Sequence, residues 1–384
     1  MIARHLPLMK RALLSLLVPL VTAAQIPPPI VSVAPPAPHA AMPAPAQRTL
    51  LAWRPDAQCD GVPLAAADFR RPAVALAWGA TATLKPVDYR FTIAADGRTV
   101  DIQRDGSDFV PFGDDLAPAL AATHFAPGAP RACRVRFVPE QVPLLAAARA
   151  DLIAYSLAPT MGPLPREAQA VIHGANTCLR EPRPQPLLQA FPDFAKVEGR
   201  PGVHDWAMIG YDIDAAGRPS AVRVVETTGN TALDAASITA IRASRYAGGP
   251  RTGCLYPYWH APVKLVAPPI PDEAALRPAD ATCPERRDWT TPPVLRFPEP
   301  YRRRAIEGWA VLAYDIAPWG EIGNIRVLAA QPSADFGTQA IQVLRAAKVA
   351  PAGQGAVGCV DRVKFVMGPV GGVPTNEDTP PPPF

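Results

Sequence analysis

From Gly308 to Ala317 the chain alternates, with Val311, Ala313 and Asp315 on one parity and Leu312, Tyr314 and Ile316 on the other. A period of two predicts a half-buried strand. Pro318-Trp319-Gly320 supplies a turn, and Ile325 and Val327 continue as the returning strand of a hairpin. The period then changes: between Asp335 and Lys348, Phe336, Ala340, Leu344 and Ala347 recur three or four apart, on one face of a helix. A last strand carries Val363 and Phe365. The same order is legible upstream. Asp96-Gly97 is a strong hairpin turn signal, Phe112, Leu116 and Leu120 repeat the helix face, and Val135 with Phe137, then Val263 with Leu265, stand where the last strand falls.

Cysteines keep step with this pattern. Cys59 and Cys133 are 74 positions apart, Cys178 and Cys254 are 76 apart, and Cys283 and Cys359 are 76 apart. A turn glycine (Gly97, Gly217, Gly320) follows the first cysteine of each pair, then a large apolar residue (Phe112, Leu233, Phe336). Next comes a short motif, His124-Phe125-Ala126-Pro127, Arg245-Tyr246-Ala247-Gly248 or Lys348-Val349-Ala350-Pro351, shortly before the second cysteine. The chain thus reads as a threefold repeat of α+β class, each unit a three-stranded antiparallel sheet with one packed helix and open sheet edges. The units are expected at 49–140, the most degenerate copy, at 176–267 and at 282–368, joined by a partly helical linker at 141–175 and a second linker at 268–281.

The ends place the protein. Residues 1–24 hold a basic start, an apolar stretch from Ala12 to Val21 and small residues up to Ala24, which is the pattern of an export signal; a retained anchor is the alternative. Residues 25–48, mostly Pro, Ala and Val, form a tether, and 369–384 a proline-rich disordered tail. Without Arg4, Lys10 and Arg11 the formal charge of +4 falls to +1, which leaves no nucleic-acid footprint. Export favours disulfides over metal ligation for paired cysteines. Several connectivities are open to six cysteines, and the repeat is what argues for Cys59–Cys133, Cys178–Cys254 and Cys283–Cys359. Each bridge would contribute about 4 kcal/mol in the chain-entropy view.

In the third unit, Phe297-Pro298-Glu299-Pro300-Tyr301, Glu307-Gly308, Tyr314-Asp315-Ile316 with Gly320, Val327-Leu328, Asp335-Phe336 with Ala340, and Lys348 to Pro351 resemble the C-terminal domain of TonB, the energy transducer of Gram-negative envelopes. The second unit is similar through Phe191-Pro192, Tyr211 to Asp214, Gly217, Val224-Val225 and Leu233-Asp234. The first keeps Phe91-Thr92-Ile93, Asp96-Gly97, Phe112 and His124 to Pro127. The resemblance implies a periplasmic protein that binds envelope proteins, among them N-terminal segments of outer-membrane transporters. Energy transduction fits less well, because this chain has several such units, a short spacer and an apolar start that looks cleavable.

No chemistry competes with that reading. There is no Gly-x-Ser-x-Gly elbow, no His-x-x-x-His pair and no glycine-rich phosphate loop, so no catalytic, metal or cofactor residue is assigned. Asp212, Asp214 and Asp315 are expected on a solvent-facing side of a sheet, Asp114, Asp115 and Asp234 as helix caps, Arg302-Arg303-Arg304 on a solvated helix face, and Tyr256, Tyr258 and Trp259 as core packing. The leading function is capture of an extended peptide on the edge of the last strand, at Val363, Lys364, Phe365 and Val366. A disulfide-stapled envelope scaffold with mutually covered edges is the second reading, and an exported enzyme with an unrecognised site the third.

Overall fold

A computed structural model describes residues 48–78, 84–272 and 274–368. The signal segment, all of the tether but Arg48, and the tail lie outside the described residues. The first unit contains β1 (Arg48–Cys59), β2 (Val62–Leu64), β3 (Ala75–Trp78), β4 (Val87–Ile93), β5 (Thr99–Arg104), α1 (Leu116–Ala121) and β6 (Arg131–Pro143). Helices α2 (Arg149–Leu157) and α3 (Arg166–His173) follow. The second unit holds β7 (Gln185–Leu188), β8 (Asp205–Ile213), β9 (Pro219–Thr227), α4 (Thr231–Ala243), β10 (Arg245–Ala247) and β11 (Arg251–His260). In the third unit come β12 (Trp289–Thr291), α5 (Glu299–Arg303), β13 (Gly308–Ile316), β14 (Ile322–Gln331), α6 (Ala334–Arg345), β15 (Lys348–Val349) and β16 (Ala356–Phe365).

Three antiparallel sheets share one plan. The strand orders β11-β8-β9 and β16-β13-β14 correspond to β6-β4-β5 in the first unit. Each central strand is flanked by its hairpin partner and by the last strand, and all three cysteine pairs are bridged. The first sheet departs from the expected three strands: β1 lies along the outer edge of β6, with β2 and β3 attached to it. The first helix is also shorter than expected. Phe112 sits before α1 with φ 59°, so the apolar face begins at Leu116.

The hairpin glycines show why the landmarks keep step. The N–H of Phe125, Tyr246 and Val349 donates to the carbonyl of Gly97, Gly217 and Gly320 at 2.8, 2.9 and 3.0 Å. All three glycines have φ near the left-handed region, at 88°, 74° and 90°. A Cβ there would lie 2.0, 1.8 or 1.9 Å from the carbonyl oxygen of Phe125, Tyr246 or Val349. The segment after each helix thus clamps the hairpin turn against glycine backbone.

The central strands β8 and β13 are buried on both faces, not half-buried, whereas β4 keeps the half-buried pattern, with Asp88, Arg90 and Thr92 on its open side. On the helix side, Leu312, Tyr314 and Phe365 pack with Phe336 and Leu344 of α6. On the other, Trp309, Val311, Ala313 and Val360 are covered by Ala267, Ile270 and Leu276 of the linker, and Trp309 Nε1 donates to the Pro268 carbonyl at 2.7 Å. In the second unit Trp206 and Met208 lie under α2 and α3, whose Leu152, Ile153, Ala168 and Ile172 are fully buried with Leu50 and Leu76 of the first sheet. The linkers are therefore core elements, and one apolar cluster runs continuously from the first unit into the third.

Polar contacts fix that docking. Arg304 Nε donates to Asp115 Oδ1 at 2.6 Å, and the same guanidinium bonds the carbonyls of Arg71 at 2.9 Å and Gly202 at 3.2 Å. Asp115 also accepts from the Ala73 N–H at 2.6 Å, and Arg303 pairs with Asp114 at 2.7 Å. Neither carboxylate caps α1; Arg302 and Arg303 are exposed as expected of a solvated face, whereas Arg304 is largely buried, and Arg303 and Arg304 pair with the two aspartates. Asp234 likewise takes the Thr227 hydroxyl at 2.7 Å, while Asn230 caps α4 by accepting from Leu233 N–H.

Two stability predictions follow from this architecture. Gly320→Ala should cost on the order of 2–4 kcal/mol, because positive φ and a carbonyl clash coincide, whereas Gly323→Ala, inside a strand with nothing within 4 Å, should be neutral or stabilise by up to about 1 kcal/mol. Urea denaturation of both variants checks this. Arg304→Ala leaves the buried Asp115 carboxylate uncompensated and should cost about 3 kcal/mol or more, against under about 1 kcal/mol for Arg303→Ala at its exposed pair, read from the same denaturation curves.

Candidate edge-strand site

The second cysteine of each unit opens a run of last strand whose outer side could take another strand. Three equivalent edges differ. On β6 the place is filled: β1 pairs antiparallel from Thr49↔Pro143 to Cys59↔Cys133 without a break. The first unit thus contains strand addition performed by its own chain.

On β11 and β16 the first cysteine is approached differently. Thr177 N–H donates to the Thr252 carbonyl at 2.9 Å, and Thr252 N–H to Thr177 Oγ1 at 2.7 Å. In the third unit Thr282 N–H donates to the Val357 carbonyl at 3.0 Å, and Val357 N–H to Thr282 Oγ1 at 3.0 Å. The next residue, Gly253 or Gly358, has φ 68° or 69°, and its N–H turns to the carboxylate of Asp212 at 2.8 Å or Asp315 at 3.0 Å. These aspartates do not merely face solvent. Each pins a bulge that delivers its cysteine to the disulfide, and the shared Thr-Cys and Tyr-Asp-Ile pairs in the sequence are the signal of it.

Beyond the bulge the two strands part company. Pro257 interrupts β11 opposite Met208 without breaking the ladder. A proline has no N–H, so within a continuous ladder it faces away from its partner strand, and here it removes a donor from the outer edge. By antiparallel alternation the residue two further on also faces outward. Trp259 is opposite Trp206, and Lys364 holds the corresponding place opposite Trp309. Lys364 therefore points its N–H and C=O away from β13, whereas Val363 and Phe365 point theirs toward it. The Met367 N–H, in phase with Val363 and Phe365, donates inward to Glu307 Oε1 at 2.9 Å. β16 contains no proline and ends its sheet.

Side chains along β16 divide in the same way. Lys364 is exposed, and Val366 is 58 % exposed. Val363 is half-buried, and Phe365 is fully buried, its ring 5.2 Å from Phe336 and 5.9 Å from Phe297. Phe365 is thus a core residue that positions the strand. Elsewhere the aromatic cluster of the second unit is core: Tyr258 donates to the Ala190 carbonyl at 2.7 Å, Tyr211 to Tyr246 at 3.0 Å, and burial pushes both Tyr258 and Tyr211 hydroxyls well up in pKa.

Residues 293–367 match the family model for the Gram-negative bacterial TonB protein C-terminal. Over those residues the third unit is similar to the TonB C-terminal domain. The match spans α5 through β16 and starts after Cys283, so the disulfide joins the domain to a segment outside the matched region. No curated protein matches the chain. Among the described residues no helix is long and apolar enough to cross a membrane.

Asp315 makes the bulge pH-sensitive. Its carboxylate accepts from Asn324 Nδ2 at 2.7 Å and from Gly358 N–H, and these bonds hold its pKa below 3.8. A lowered folded-state value means the contribution is fully present above the unfolded value and lost as pH falls through the folded one. Asp315→Asn should therefore be less stable than the parent at pH 7, with the gap closing in strong acid. Chemical denaturation at the two pH values measures it.

Proposed function

We propose that the protein is a non-enzymatic, TonB-like binding protein of the Gram-negative envelope, exported to the periplasm, that captures extended segments of envelope proteins by strand addition on β16. The first two units are read as divergent copies of the third. One observation carries the choice of edge: of three equivalent last strands, β6 is covered by β1 and β11 is interrupted by Pro257, while β16 ends its sheet without either. Main-chain bonds to the outward groups flanking Lys364 would supply affinity, and the exposed side chains of Lys364 and Val366 selectivity. N-terminal segments of outer-membrane transporters are the partners the family context supplies, and transport across the outer membrane the process.

A second reading has its own support. The β5 edge meets the third unit, with Ile102 N–H donating to the Pro332 carbonyl at 3.0 Å, and β1 closes the opposite side of that sheet. Covered edges and three staples suit an envelope scaffold, and the first unit is where this reading is strongest.

Proline placement separates them. Val363→Pro would break the β13 ladder itself and unfold the third unit, whereas Lys364→Pro deletes only an outward N–H. Synthetic peptides covering transporter N-terminal segments should bind the parent and protect the Lys364 amide from exchange, and Lys364→Pro should bind about tenfold or more weakly with an unchanged fold. Equal binding by a folded Lys364→Pro protein would sink the β16 assignment and leave the scaffold.

A further inference from the structure

The second unit meets the other two at the loop 201–204, just ahead of β8. Gly202 is buried there: a Cβ on it would lie 2.7 Å from the Ala122 side chain of the first unit and 3.7 Å from Ile306 of the third. Two residues on, His204 is half-buried. Strand alternation puts it on the side of Trp206 and Met208, which pack under α2 and α3 with Leu50 and Leu76 of the first sheet.

Three guanidinia share this junction, Arg70 of the first unit, Arg200 of the second and Arg304 of the third, and they act on one another. The carboxylates facing them are Asp115 and Asp205, and both are committed. Asp115 accepts from Arg304 and from the Ala73 N–H. Asp205 accepts from Arg200 Nε at 2.9 Å, Asn230 Nδ2 at 3.0 Å and the Thr228 hydroxyl at 3.0 Å. At the rim Arg71 pairs with Asp151, and Arg303 with Asp114, each at 2.7 Å. That leaves Arg70 in excess: burial lowers its pKa, and Arg200 and Arg304 lower it further against the opposing pull of Asp205.

His204 stands in the same field. Its charged and titratable neighbours are Asp205 beside it, Arg304 from the end of α5, and His260, which lies opposite Asp205 on β11. We propose that His204 is an acid-operated release for the docking of the second unit on the other two. Neutral, it lets the junction close; charged, it adds a fourth cation to three guanidinia whose two carboxylates are already taken. Burial holds its pKa below 6.5 against the pull of Asp205, and Arg304 and His260 add to the lowering. A lowered docked-state value means that the support for docking is fully present above the free value and lost as pH falls through the docked one. The release thus works in mild acid, before Asp315 is protonated.

Amide exchange on the full chain at about pH 7.5 and about pH 5, corrected for the intrinsic rate, tests it. The reporter is Leu265, whose N–H donates to the Ala305 carbonyl, next to Arg304, at 2.8 Å; Ile209 inside β8 is the control. Protection at Leu265 should fall about fivefold or more in acid while Ile209 holds, and His204→Gln should abolish that response. Arg70→Gln, which keeps the imidazole but removes the excess guanidinium, should blunt it, and serves if His204→Gln fails to fold. Unchanged protection at Leu265, or an equal fall at Ile209, overturns the release. So does an equal fall in a folded His204→Gln protein, which would assign the effect to another group such as His173, whose pKa burial also lowers.

Discussion

The guanidinium of Arg304 holds the assembly in register. It meets the Asp115 carboxylate of the first unit, the Arg71 carbonyl beside it and the Gly202 carbonyl of the second, all from the end of the short helix α5 of the third. A buried charge is costly unless paired and hydrogen-bonded, and here pairing is possible only when the three units are docked. The interaction thus does little to favour one unit alone and much to specify how they sit together. Around it the apolar cluster shared by the first and third units can close without a gap.

Given that fixed frame, the units differ in what covers their surfaces. Every central strand keeps the alternation that buries one side under a helix. The other side is covered by α2 and α3 in one unit and by a proline-rich linker in another, and is left polar in the first. The last strand follows the same logic: a strand of the chain itself lies on β6, a proline disarms β11, and β16 retains a full set of donors beyond its bulge. Repetition of a fold has not meant repetition of a surface.

Much of this was legible along the chain because it depends on local period and turn chemistry. The hairpin at Gly320, the helix face of Phe336, Ala340 and Leu344, and the pairing of cysteines each rest on spacing that sequence displays. What stayed hidden depends on distant segments meeting. Arg304 and Asp115 looked like separate surface charges because each was judged on its own helix. Arg48–Cys59 carries Pro55 and little regular alternation, so nothing local announces a strand that finds β6. The likeness of the candidate edge to its two relatives was visible, but that Pro257 faces outward emerges only from the ladder register.

The three disulfides also set the path of any mechanical load. A pull applied ahead of Arg48 can draw out β1 only as far as Cys59, and then passes through sulfur to Cys133 without crossing the residues between them. The same bypass operates at Cys178–Cys254 and Cys283–Cys359, so the three hairpins and the helices α1, α4 and α6 are shielded from tension, while α2 and α3, between Cys133 and Cys178, are not. Only the stretches between staples carry force, and β16 beyond Cys359 is among them. Tension arriving there from a captured strand would leave the folded loops at rest.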